Sequence, residues 1–341
     1  MKAIVYHSYG SPDVLRCEEI DKPSVGDSQV LIRVRAAGVN PLDAGELKGV
    51  PYLARVILGV RKPEKSRPGR PGVDVAGEVE AVGMNVTLFR PGDKVFGVCI
   101  NDPKASGVKV WFHDEGAFAE CVCAPESTLA IKPENITFEQ AAPVGVAALT
   151  ALQGLRDHGH IQPGYKVLVN GAAGGVGTFA VQIAKALGAE VTGVCRTSNV
   201  ELLRSIGADH VVDYTQHDFT KAQQQYDLIF DCVSNHSLSE YRQLLGANGV
   251  LVMAGDRTGR GMLGIVGRLL AALMLTKLTR QRFVTFLAKP RQADLVTIQE
   301  LIRVGKVKPV LDKGYSLSQT PEAIRYLEQK HARGKVVITV A

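Results

Sequence analysis

An apolar run from Lys166 to Asn170 enters a turn holding Gly171, Gly174, Gly175 and Gly177, then an amphipathic stretch ending near Lys185. Strand, glycine turn and helix in that order leave few folds open. The glycines can take backbone angles closed to other residues. Lacking Cβ atoms, they also let a pyrophosphate reach the amides at the helix start, where the dipole is positive. A second apolar run at Val191–Cys195 closes the unit, which gives the glycine pattern the context a dinucleotide site requires. Gly171, Ala173, Gly174, Gly175, Val176 and Gly177 are the candidate pyrophosphate residues.

The end of the second strand says which dinucleotide. Selection of NAD usually places a carboxylate there, roughly 20 residues past the glycines, to bind the ribose hydroxyls. Here Arg196, Thr197, Ser198 and Asn199 stand instead. Guanidinium and hydroxyl groups suit the 2′-phosphate of NADP(H), with Arg196 carrying most of that preference. Ser198, three residues before Glu201, reads as a capping box opening the next helix.

A chain of 341 residues exceeds one compact core and suits two domains, and a hydrophobic content of 45% supports both. The opening Met1–Tyr6 reads as a strand rather than a signal peptide, and the six scattered cysteines read as reduced packing residues, so a cytoplasmic protein is expected. The net charge of +6 is mild. Basic residues cluster at Arg55, Arg61, Lys62, Lys65, Arg67 and Arg70 without interleaved aromatics, which reads as a solvated loop or a grip on an anionic substrate tail and gives no reason to expect nucleic acid.

Short alternating runs at 29–35, 74–82 and 93–98, separated by Pro and Gly, predict strands of a small barrel. From Thr137, which forms a capping box with Gln140, a long alanine-rich helix is expected to about Asp157. Runs at 211–214, 226–233 and 249–255 then predict further parallel strands, and Asp294–Val304 a helix. Thr320 and Pro321 start a last helix that Gly334 should stop, before a barrel-type strand at 335–340.

Seven segments, in order, resemble the medium-chain dehydrogenase/reductases, in the zinc-independent branch that includes quinone oxidoreductases: Ala37–Asp43, Pro71–Gly77, Gly116–Glu120, Ala172–Gly177, Leu187–Ala189, Gly207–Asp209 and Gly334–Ile338. The resemblance implies an α/β protein: a GroES-like β-barrel catalytic domain (1–125 and 283–341) and, between its parts, a Rossmann doubly wound parallel-sheet domain (126–282). It also implies an active site in a cleft and a homodimer. Asn40 and Asp43 would then lie on the loop facing the nicotinamide, Tyr214 beside the adenosine, and Cys232, Val233, Ser234 and Gly255 on the nicotinamide side. Related quinone reductases often carry a basic residue where Asn199 stands.

Zinc-dependent relatives take their ligands from a Cys, a His before a Glu, and a later Cys or Asp. Here Asn40 stands at the first position, Val73 before Asp74 at the second, and no thiol occupies 141–145. Cys121 and Cys123 lack the spacing of a structural zinc site, so no metal is expected. Without a Lewis acid, reduction of a conjugated acceptor is favoured over oxidation of a simple alcohol, because conjugation spreads the incoming negative charge. The expected activity is NADPH-dependent reduction of a quinone or α,β-unsaturated carbonyl, with an enoyl-thioester reductase or a non-catalytic NADPH sensor as alternatives. Asn40 is a candidate donor to the acceptor oxygen, Asp43 a catalytic or loop-holding group, and Tyr52 a candidate phenol. The apolar segment 262–275, set among Arg257, Arg260, Arg268, Lys277, Arg280 and Arg282, is too short to span a bilayer as a helix. It reads first as a lid or pocket wall, second as a dimer contact, and third as a membrane-surface helix.

Overall fold

The computed structural model describes residues 1–49, 63, 68–100, 115–255, 262–329 and 332–340. Tyr52 and the basic residues Arg55 to Arg67 lie outside these. In chain order the described strands are β1 (Lys2–Val5), β2 (Arg16–Glu19), β3 (Gln29–Val39), β4 (Asp74–Val82), β5 (Lys94–Val98), β6 (Cys121–Pro125), β7 (Leu129–Ile131) and β8 (Lys166–Asn170). They continue as β9 (Glu190–Cys195), β10 (His210–Asp213), β11 (Tyr226–Asp231), β12 (Leu245–Met253), β13 (Arg282–Thr285), β14 (Leu311–Ser316) and β15 (Lys335–Thr339). The helices are α1 (Pro41–Lys48), α2 (Phe138–Ala141), α3 (Gly145–Gln153), α4 (Gly175–Ala186), α5 (Val200–Ser205), α6 (Leu238–Leu244), α7 (Met262–Leu278), α8 (Gln292–Arg303) and α9 (Thr320–Glu328).

The chain forms two units, one of Met1–Leu149, Lys289–Arg303 and Pro309–Ala341, the other of Thr150–Ala288 and Val304–Lys308. These boundaries differ from those expected after 125 and 282, for two reasons of pairing. β7 pairs with β5 of the barrel, which carries the first unit past 125, and β13 pairs with β12, which keeps 282–285 in the second unit.

In the barrel unit the sheet runs β14-β15-β3-β4-β5-β7, with β6 also on β3. Alternate apolar residues of these strands face one core, including Ile32, Val34, Val75, Val95, Val122 and Ile338. β3 lies antiparallel to both β4 and β15, so its end meets their beginnings: Gly38 stands opposite Asp74, and Val39 opposite Val336. That register alone brings Asn40, Asp74 and Lys335 to one place.

In the second unit six parallel strands run β10-β9-β8-β11-β12-β13. β8 comes first in the chain and lies between β9 and β11, so the strand order reverses beside it, and ligands of open α/β sheets bind at the strand ends there. Three local readings need correction. The helix expected from Thr137 to Asp157 is broken into α2, a 3-10 turn at Ala142–Val144, α3 and a π-helical turn at Gly154–His158, as Pro143 cannot continue the α2 ladder. Ser198 does not open α5; it lies in the turn Thr197–Asn199, Asn199 precedes the helix, and Glu201 pairs instead with Arg204. α9 ends at Glu328, ahead of Gly334, whose φ of 86° instead serves the turn into β15.

Candidate active site

The nucleotide unit builds its candidate site from strand ends. β8 ends at Asn170, and Gly171 turns the chain with φ 79°. Gly177 packs α4 against this turn: a Cβ there would stand 2.2 Å from the Gly171 oxygen and 2.7 Å from the Ala172 Cα, so backbone would have to move. Gly174 differs, since a Cβ on it would meet only the Gly171 oxygen, at 3.4 Å. It precedes α4 with no side-chain cap and no acidic residue in the first turn, which leaves the helix-start amides for an anion. Ala173 lies buried in the same turn.

The other expected nucleotide residues follow the ends of parallel neighbours. Arg196 follows β9, Tyr214 follows β10, Cys232 to Ser234 follow β11, and Gly255 comes two residues after β12. The Thr197 hydroxyl donates to Asp213 at 2.5 Å, which holds the Asp213 carboxyl below its usual range. Tyr214 is 54% exposed, so its ring is open to a partner rather than packed.

Asp231, fully buried at the end of β11, was not foreseen as a site residue. Its Oδ1 accepts from Asn170 Nδ2 and from the backbone N–H groups of Val233 and Ser234, each at 3.0 Å. Ser234 is thereby held at φ 62°, and its hydroxyl donates to the Gly255 oxygen at 2.7 Å. The 232–234 turn is thus tied to both β8 and β12. Arg268 of α7 lies 4.0 Å from Asp231 Oδ2.

In the barrel unit, four buried polar residues meet at the strand ends. Asn40 Nδ2 donates to Asp74 Oδ2 at 2.9 Å and to the Gly38 oxygen at 3.3 Å, while Asn40 Oδ1 accepts from Lys335 Nζ at 2.6 Å. Lys335 Nζ also lies 3.5 Å from Asp74 Oδ2. Asp74 Oδ1 accepts the Val146 N–H at the start of α3 at 2.7 Å, an approach that Gly145 permits because a Cβ there would stand 2.5 Å from that oxygen. Burial pushes the Asp74 carboxyl upward against the pull of Lys335, Asn40 and Val146. Asp43 Oδ2 accepts the Asn40 N–H at 2.6 Å, and Oδ1 has no hydrogen-bond partner. Burial is the largest cause that raises Asp43 to about 7, and the neighbouring Asp74 adds to it. Both Nδ2 hydrogens of Asn40 are therefore engaged within the protein. Lys335 and Asp74 went unrecognised as partners, although a charge at the edge of each apolar strand was the available signal.

Residues 26–134 match the alcohol dehydrogenase GroES-like domain, and residues 206–338 match a domain described as zinc-binding dehydrogenase. The chain is 33% identical to the mouse NAD(P)H oxidoreductase RTN4IP1, mitochondrial, over all of this chain and 89% of that protein. This is a medium-chain dehydrogenase/reductase. Members of this superfamily are nicotinamide-dependent oxidoreductases, and the glycine turn and strand ends above suit such a cofactor. A tomato 2-methylene-furan-3-one reductase is also 33% identical, over 99% of this chain and 79% of its own length. The solved quinone oxidoreductase of Coxiella burnetii is 28% identical and superimposes with a TM-score of 0.81, over 100% of this chain and 99% of that one.

The zinc in one domain's description does not fit the described residues of this dehydrogenase/reductase. Where relatives would place ligands stand Asn40 and the buried Val73, which has no donor; Asn40 is bound to Asp74 and to a buried ammonium, whose charge repels a divalent cation. The nearby Cys99 thiol is buried and held well above its usual range, the opposite of the thiolate a metal requires. Among the described residues no group of three or more His, Cys, Asp or Glu could hold a metal ion.

Proposed function

We propose that this medium-chain dehydrogenase/reductase reduces a quinone or an α,β-unsaturated carbonyl with NADPH and without zinc. The observation that carries the reading is the pairing of an intact nucleotide turn with ligand positions held by Asn40, which is bound to Asp74 and Lys335, and by the apolar Val73. Relatives named for enone and quinone reduction support the substrate class. When bound, the nicotinamide supplies a hydride, which a conjugated acceptor takes without a Lewis acid.

The residues divide the remaining work. The amides of Gly175, Val176 and Gly177 hold the pyrophosphate, with Gly171, Ala173 and Gly174, whose N–H donates to the Gly171 oxygen at 3.0 Å, shaping the turn. Arg196, Thr197, Ser198 and Asn199 meet the 2′-phosphate, and Tyr214 lies against the adenosine. Cys232, Val233, Ser234 and Gly255 present backbone groups toward the nicotinamide side, in a turn that Asp231 fixes. Asn40 acts by holding the barrel end together with Asp74 and Lys335, and Asp43 by bracing the Asn40 backbone. The substrate-side proton is assigned to no described side chain, and the Tyr52 phenol remains the candidate outside them. A cytoplasmic homodimer completes the proposal, supported by six free cysteines for the reducing compartment.

Initial rates of NADPH and NADH consumption by metal-free protein, against a naphthoquinone, a 2-enone, an enoyl thioester and a simple ketone, test this. Quinone or enone turnover favouring NADPH is expected. Preference for the thioester would move the assignment to enoyl carriers, and tight NADPH binding without turnover would leave a sensor.

A further inference from the structure

α7 has two unlike faces. Its inner side carries Arg268, Ala272, Leu275 and Thr276. Ala272 and Leu275 join the core that includes Phe283, Thr276 Oγ1 accepts the Phe283 N–H at 3.0 Å, and Arg268 donates to the His236 oxygen at 2.8 Å. The outer arc is apolar and open: Val266, Leu270, Leu273, Met274 and Leu278 are 44%, 59%, 59%, 60% and 76% exposed. Water-facing arcs of helices are ordinarily polar, so a stripe of this kind marks a contact surface.

The charge around the arc identifies the partner. Residues 257–288 contain six Lys or Arg and no Asp or Glu. Lys277 is exposed in the last turn, with Arg280 and Arg282 exposed just beyond it. A second copy meeting this arc through the same segment would offer these cations no carboxylate. A layer of anionic headgroups over acyl chains accepts both the cations and the stripe. No described helix is long and apolar enough to cross a membrane, so α7 would lie along one rather than through it.

We infer that α7 is an interfacial helix that seats this protein on an anionic lipid bilayer, with Leu270, Leu273 and Met274 among the acyl chains and Lys277, Arg280 and Arg282 among the phosphates. The inference stands independently of the reductase reading. Flotation of the full chain with phosphatidylcholine vesicles, with and without phosphatidylglycerol, tests it. Binding at least about tenfold stronger to the anionic vesicles, and weakened by salt, is expected. L270E/M274E and K277E/R280E/R282E should each lose at least about tenfold of that binding while thermal midpoint and turnover of a soluble acceptor stay unchanged. Three results would overturn it: no flotation with either vesicle, flotation indifferent to L270E/M274E, or a dimer in sedimentation equilibrium that L270E/M274E dissociates, which would give the arc to a second copy.

Discussion

The nucleotide unit and the barrel unit assemble their polar groups by opposite routes. At the ends of β8 to β12 the chain offers mostly backbone: a glycine turn, uncapped helix amides, and a turn at 232–234 held by one buried carboxylate. At the barrel end the work falls on side chains from residues 40, 74 and 335, joined by sheet register and fully removed from water. A backbone site is tuned by where a Cβ is absent, whereas a side-chain cluster is tuned by charge balance. The two should therefore fail differently.

The barrel should fail hardest. Lys335→Met leaves Asp74 without its cation, and a loss of about 3–5 kcal/mol in urea unfolding is expected. The double variant Asp74→Asn/Lys335→Met should recover much of that. A double variant no better than the single one would break the charge-balance half of the comparison.

Asp43 gives the pH-dependent part. Its folded value of about 7 lies above the ordinary 3.8, so the native state holds a proton that the unfolded chain has lost. Its favourable contribution is complete below the ordinary value and disappears as pH rises through about 7. Compared with Asp43→Asn, the wild type should lose about 2–4 kcal/mol of stability between acid and mildly alkaline pH. Parallel pH profiles for the two proteins would show that Asp43 does not titrate in this way.

The nucleotide side should show smaller effects, read in affinity. Gly177→Ala drives a Cβ into the Gly171 oxygen and should cost about 2–3 kcal/mol, mostly as weaker NADPH binding measured by fluorescence titration. Gly174→Ala should leave the fold intact, as that position is open to the protein, and lower only affinity. Arg196→Ala should reduce kcat/KM for NADPH by about tenfold, near 1–2 kcal/mol, and leave NADH nearly unchanged. Equal losses with both cofactors would remove the 2′-phosphate role.

This contrast also explains what the sequence disclosed. Glycines, strand ends and their order are local, so the nucleotide turn, the parallel strands and the branch of the family could be read from Lys166–Cys195 and a few short segments. The Asn40–Asp74–Lys335 cluster depends on register between strands nearly 300 residues apart, and only a charge in each apolar run hinted at it. Asp231 was hidden in the same way, inside Tyr226–Val233. Ser198 misled because a capping pattern is a local preference, and the turn that follows β9 placed the helix start one residue later. The apolar segment was visible but its partner was not, since exposure of the outer arc of α7 is a tertiary fact.

The central claim is that hydride reaches a conjugated acceptor without zinc. The direct measurement is transfer from NADPH deuterated at the nicotinamide C4 to a 2-enone, in the presence of a chelator, with the product analysed by mass spectrometry and NMR. Deuterium at the β-carbon of a saturated ketone, at a rate unaffected by added zinc, is predicted. Deuterium at the carbonyl carbon of an allylic alcohol, or a rate that rises with zinc, would contradict it.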